Sequence, residues 1–171
     1  PPLHLNILIL QSTLLISTSC PTPTSFSFTI FFSPISPPRS VSELKFVFVV
    51  DDVAAVEDRV FLFAGPLALK LGVGLIPVRK PGKLPADTIS YQYELEYGTD
   101  TLEMHSGILT PQSRVLIIDD VLATGGTAEA CVKLIESVHA TVVGCSFLVE
   151  LEGLRGRERL GDHRIETVLK Y

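Results

Sequence analysis

Residues 1–38 contain no Asp, Glu, Lys or Arg, and the whole 171-residue chain has no Trp, one Met and three cysteines. Each scarcity excludes something. Without a basic start, the leader does not read as a secretory signal, and no Arg appears before Arg39 to suggest a transit peptide. Leu3 to Ile16 is apolar but broken by Asn6, Gln11, Ser12 and Thr13, too short and interrupted for a membrane span. Cys20, Cys131 and Cys145 have no paired spacing, which argues against a disulfide framework or a zinc site. His105, His139 and His163 show no metal-like spacing either. A net charge of −5 without a basic cluster argues against nucleic acid as the main partner.

What is present divides at about Ser42. Residues 1–41 form a Ser/Thr/Pro-rich leader, uncharged apart from Arg39 and expected to be poorly ordered, with Phe26 to Phe32 an aggregation-prone patch. Starting at Pro1, the chain reads as a fragment or as an incorrectly assembled start. Residues 42–171 have the composition of one folded domain. K-F-V-F-V-V, Lys45 to Val50, predicts a buried strand leading to Asp51 and Asp52. A helix is expected around Pro66 to Leu71, closed by Gly72 and Gly74, then a strand over Leu75 to Val78. Further strands are expected over Val115 to Ile118, Thr141 to Val149 and Ile165 to Leu169, with a helix over Ala128 to Val138. Repeated strand–helix–strand units imply an α/β fold, a parallel sheet flanked by helices.

The chemistry concentrates in V-L-I-I-D-D-V-L-A-T-G-G-T, Val115 to Thr127. An apolar strand ends in Asp119 and Asp120, a glycine-containing turn follows, and then a helix whose Cys131, Leu134, Ile135 and Val138 share one face. Gly125 and Gly126 let backbone N–H groups approach an anion, Thr124 and Thr127 add hydroxyls, and the helix start adds partial positive charge. No Lys stands in this turn, so it is neither the G-x-x-x-x-G-K-[ST] loop nor G-x-G-x-x-G. Two carboxylates would repel a bare phosphate. They suit sugar hydroxyls or a ligand-bound Mg²⁺, so the expected ligand carries ribose and phosphate together.

Two other segments have both bland and functional readings. P-V-R-K-P-G-K-L-P, Pro77 to Pro85, puts Arg79, Lys80 and Lys83 on a proline-stiffened loop. Such a run is usually just a solvated face, but after a strand of the same sheet it gains weight as an anion site. Tyr93 to His105 reads as two strands around a turn at Gly98, either a surface hairpin or a water-excluding lid. Arg155, Arg157, Glu158 and Arg159 read as a solvated face.

The acidic pair followed by A-T-G-G-T resembles the phosphoribosyl-pyrophosphate (PRPP) motif of the type I phosphoribosyltransferases. V-R-K-P-G-K-L-P, L-E-Y-G-T-D-T-L-E-M-H and V-E-L-E-G-L-R-G-R-E-R-L (Val149 to Leu160) are similar to the adenine phosphoribosyltransferase branch. The resemblance covers about residues 46–171. It implies a type I fold with a flexible hairpin lid, and a Mg-dependent pentosyltransferase making AMP and pyrophosphate from adenine and PRPP in purine salvage. It implies Glu96 as the catalytic carboxylate near the base, and Asp119 and Asp120 on the ribose and Mg-PRPP. Ala123, Thr124, Gly125, Gly126 and Thr127 would hold the 5′-phosphate. Arg59, Arg79, Lys80, Lys83 and Tyr97 would bind pyrophosphate, and Val149 and Leu151 would lie near the base. Mg²⁺ would arrive with PRPP rather than in a dedicated protein cage. A homodimer, cytoplasmic location and no membrane or nucleic-acid partner are the accompanying expectations; a targeting role for residues 1–38 is the alternative location.

Three departures from the family pattern stand out. The amino-terminal segment that hoods the adenine ring is not found, Val60 replaces the Gly that follows the loop Arg, and Ala55 stands where Gly is common. Val60 would be strained if its site required positive φ. These departures leave two alternatives: a catalytically impaired PRPP- or nucleotide-binding protein, and a phosphoribosyltransferase for another purine.

Overall fold

The computed structural model describes residues 15–18, 28–31, 49–94 and 98–171. The chain divides into two compact units, Pro1–Val47 and Phe48–Tyr171. In the first, β1 (Leu15–Thr18) pairs antiparallel with β2 (Phe28–Phe31). The rest of the leader expected to be poorly ordered, with the ends of the Phe26 to Phe32 patch, lies outside the described residues.

The second unit is built on β3 (Asp52–Val56), α1 (Phe61–Leu71), β4 (Gly74–Val78), β5 (Thr88–Glu94), β6 (Thr99–His105), β7 (Arg114–Leu122), α2 (Gly126–Glu136), β8 (Thr141–Glu150), α3 (Gly156–Arg159) and β9 (Ile165–Lys170). A 3-10 turn over Glu152–Leu154 precedes α3. Five strands form one wholly parallel sheet in the order β4-β3-β7-β8-β9. Strands β5 and β6 form a separate antiparallel hairpin. Helix α1 packs on β3 and β4, and α2 on β7 and β8.

Several expected boundaries move. Of the strand expected over Lys45 to Val50, residues 45–48 lie outside the described residues; Val49 and Val50 are irregular, and the first described strand of this unit is Asp52–Val56. The small D-V-A-A-V segment is buried between two neighbouring strands, with Val53, Ala54 and Ala55 at zero exposure. Strand β7 does not stop at Ile118 but carries Asp119 and Asp120 within it to Leu122, because β8 continues to offer partners as far as Glu150. Helix α1 starts five residues earlier than expected, at Phe61. Gly72 alone closes it, at φ +69° and with its N–H on the Ala68 and Leu69 carbonyls; Gly74 already opens β4. Helix α2 begins at Gly126, two residues ahead of its expected start.

The core is continuous from sheet to helix: Val115, Ile117, Cys131, Leu134, Ile135, Cys145 and Phe147 are each at most 1% exposed. Because parallel strands are covered on both faces, V-L-I-I need not alternate with polar residues. Among the described residues, no helix is long and apolar enough to cross a membrane.

Candidate active site

The strand order places a crevice between β3 and β7. From β3 the chain moves outward to β4; it then returns to β7 on the other side and continues to β8 and β9. At such a reversal the loops leaving the two central strands part and leave room at their carboxyl ends. Ala55 pairs with Ile118, so the next positions, Val56 and Asp119, border that opening. A cavity of about 270 Å³ lies there, lined by Val56, Glu57, Asp119, Asp120 and the segment from Val121 to Ala128. A larger cavity of about 500 Å³ sits between the β5–β6 hairpin and α2. The smaller one holds the acidic pair and the glycine turn, and so holds the chemistry.

Asp119 is 9% exposed, and its Oδ1 accepts the Asp120 backbone N–H at 2.8 Å. Burial, opposed only partly by that hydrogen bond and reinforced by the charges of Asp120 and Glu57, pushes its carboxyl up to about 7. The cost of three neighbouring carboxylates is relieved by a cation or by hydroxyl donors, which is the chemistry the acidic pair suggested.

The turn after β7 is shaped for an anion. Gly125 takes φ +83° at the start of α2, a conformation that L side chains rarely adopt, and no side chain caps the helix. The first N–H groups of α2 are therefore left to whatever enters the cavity. Ala123, Thr124, Gly125, Gly126 and Thr127 all line it, and Thr127 Oγ1 stands 3.5 Å from the Tyr93 hydroxyl of the hairpin.

The cationic loop after β4 is engaged with the chain's own carboxylates. Arg79 pairs with Asp58, Lys80 with Asp100 at 2.8 Å, and Lys83 with Glu57 at 2.8 Å and Asp58 at 3.5 Å. The Arg79 guanidinium also lies 5.5 Å from the Phe61 ring centroid, and its buried Nε has no hydrogen-bond acceptor among the described residues. Arg59 is exposed on the turn between β3 and α1. Val60 in that turn is not strained: it sits at φ −63° and is 1% exposed, packed as a core residue at the start of α1. The positive φ falls instead at Glu57, φ +60°. Glu57 and Asp58 are thus residues of this site that sequence reasoning passed over; a charged turn between strand and helix was their only signal.

The hairpin is not loose at its base. Leu102 and Met104 are buried in the core, and Arg79 and Glu103 exchange backbone hydrogen bonds at 2.8 and 2.7 Å. Its tip carries Glu96 and Tyr97, which lie outside the described residues with Leu95. On the other side, Val149 pairs with Val121, and the Leu151 N–H reaches the Leu122 carbonyl at 2.9 Å, so both stand beside the carboxyl end of β7. One expectation is corrected outright. Arg157 is not part of a solvated face: it forms a two-pronged ion pair with Glu150, whose side chain is 5% exposed, at 2.5 and 2.7 Å. Arg155 and Glu158 are solvated, as expected.

Residues 49–168 match the phosphoribosyl transferase domain family. An adenine phosphoribosyltransferase of Rhodopirellula baltica is 51% identical over 135 residues, which are 77% of this chain and 66% of that protein. The crystal structure of the Thermoanaerobacter pseudethanolicus adenine phosphoribosyltransferase is 54% identical, with 71% of each chain covered and a TM-score of 0.69. The Saccharomyces cerevisiae enzyme, solved with an imino-altritol bisphosphate and adenine, is 42% identical over 70% of this chain and 67% of its own, with a TM-score of 0.66. This chain spans just under two thirds of the length of the first of these relatives. The chain belongs to the phosphoribosyltransferase family, in the branch whose members are adenine phosphoribosyltransferases.

Proposed function

We propose that this chain transfers the phosphoribosyl group of PRPP to adenine, releasing AMP and pyrophosphate in purine salvage. One observation carries the reading: the acidic pair Asp119–Asp120 and the glycine turn line a single cavity at the reversal point of the sheet. Ribose hydroxyls donate to the carboxylates, while the 5′-phosphate takes the free N–H groups of α2 and the Thr124 and Thr127 hydroxyls. The relative from Saccharomyces cerevisiae, solved with adenine and a bisphosphate, supports both ligand halves.

Pyrophosphate leaves toward Arg79, Lys80 and Lys83, with Arg59 and Tyr97 in the same role. The buried Nε of Arg79, which has no acceptor among the described residues, supports this assignment, since a buried donor calls for an acceptor. Adenine stacks against Val149 and Leu151, and Glu96 takes the proton lost as the glycosidic bond forms. Positioning of the two substrates and preorganised positive charge at the leaving group supply most of the catalysis.

Hard carboxylate oxygens at Asp119, Asp120 and Glu57 fit Mg²⁺ carried by PRPP. Among the described residues no group of three or more His, Cys, Asp or Glu is arranged to hold a metal alone. When bound, Mg²⁺ would neutralise the pyrophosphate oxygens. A homodimer belongs to the same proposal: Leu62 and Leu69 are 81% and 84% exposed and seven residues apart, on one side of α1. Buried, unpaired Cys131 and Cys145 suit a reducing compartment and support a cytoplasmic location as part of this proposal.

A second reading, ligand binding without turnover, is favoured by the pairing of Arg79, Lys80 and Lys83 with carboxylates of this chain. AMP formation from labelled adenine, PRPP and Mg²⁺ by the full chain separates the two. Turnover supports transfer; thermal stabilisation by PRPP without product supports the second reading instead. Neither response from a folded chain sinks both.

A further inference from the structure

The geometry points to the Glu150–Arg157 pair as a positioning device for the turn from Ala123 to Gly125, acting through the backbone of Gly156. This rests on the proposed reading of that turn as the 5′-phosphate site. Glu150 ends β8, and its buried carboxylate receives Arg157 Nε at 2.5 Å and Nη2 at 2.7 Å, and the Thr167 hydroxyl of β9 at 2.9 Å. Arg157 also donates through Nη1 to the Ile165 carbonyl at 3.1 Å. One guanidinium is therefore tied to the two last strands of the sheet, and its planar fork allows little rotation.

Gly156 is the residue immediately before it, and is buried. Its backbone presses on the turn so closely that a methyl group there would collide with the Ala123 carbonyl oxygen and stand 3.1 Å from the Gly125 nitrogen. The contact is reciprocal: a methyl on Gly125 would meet the Gly156 carbonyl oxygen at 2.5 Å. Two glycine backbones in contact set the height of the turn over the cavity, and the ion pair sets the height of Gly156. Three residues earlier, Gly153 faces open space. The chain's G-R pair is thus explained by two separate needs, a missing Cβ and a forked cation.

The test is calorimetric titration of the full chain with ribose 5-phosphate and, separately, with pyrophosphate. The comparison runs across wild type, G156A, R157K and G153A, each first shown to be folded by circular dichroism. G156A should weaken ribose 5-phosphate binding about tenfold or more, since displacement of a site by an ångström is costly. Pyrophosphate binding should stay within about twofold in the same variant, because the loop carrying Arg79, Lys80 and Lys83 does not rest on Gly156. R157K keeps the charge but loses the fork, and should weaken ribose 5-phosphate less than G156A does. G153A should match wild type. Equal weakening of both ligands in G156A would mean a merely structural role and overturn the inference. So would wild-type affinity for ribose 5-phosphate in R157K, which keeps the test decisive if G156A does not fold. A folded wild type that ignores ribose 5-phosphate would instead overturn the phosphate-site reading and this inference with it.

Discussion

The Asp119 carboxylate and the Asp120 backbone N–H meet at 2.8 Å inside β7, so the acidic pair is held as one rigid unit. Only Asp119 is buried; Asp120 is half-buried and faces the cavity. Burial raises the Asp119 pKa from 3.8 to about 7. For a group raised in the folded state, the favourable contribution is fully present below the unfolded value and is lost as pH rises through the folded one. The expected outcome is a melting temperature that falls between about pH 4 and pH 7 in the wild type and falls less in D119N. Differential scanning calorimetry across that range checks it; identical slopes would remove Asp119 as the source.

The Glu150–Arg157 pair makes the opposite prediction. The Arg157 guanidinium beside Glu150 holds its carboxyl below the usual value of 4.5, so the stabilisation is present above that value and lost as pH falls through the lowered one. R157Q leaves a buried carboxylate with a weaker partner. Stability at pH 7 should fall by about 2 kcal/mol, below the usual range for breaking a fully buried pair because Arg157 is partly exposed. Urea denaturation at pH 7 measures this, and an unchanged midpoint would count against it.

Asp58 holds both Arg79 and Lys83. Pyrophosphate must displace it to reach those cations. D58A should therefore tighten pyrophosphate binding by about twofold to fivefold at low salt, the scale of exposed ion pairs, with the gain fading at high salt. Product inhibition by pyrophosphate reads it out directly. Weaker inhibition in D58A would show that Asp58 orients the cations instead of competing for them.

Glu96 is assigned to the proton that adenine loses. E96Q should lower the rate of AMP formation by roughly 10²- to 10⁴-fold while PRPP-induced stabilisation persists. D120N should instead weaken PRPP binding itself. A rate near wild type in E96Q would remove Glu96 from the chemistry.

The sequence alone carried the parallel α/β architecture, the strand–acid–glycine–helix unit from Val115 and the hairpin around Gly98. These rest on local signals: an uninterrupted V-L-I-I run, a glycine where φ must be positive, and an amphipathic helix start. Tertiary structure decided the rest. It seated the small D-V-A-A-V segment between β4 and β7 as β3, because a strand between two partners is selected by what fits there, not by its own hydrophobicity. It relieved Val60 by placing it in helical conformation and moved the positive φ to Glu57. It turned Arg157 from a surface charge into the partner of a buried Glu150. Burial and long-range pairing depend on residues distant in the chain, and no local spacing encodes them.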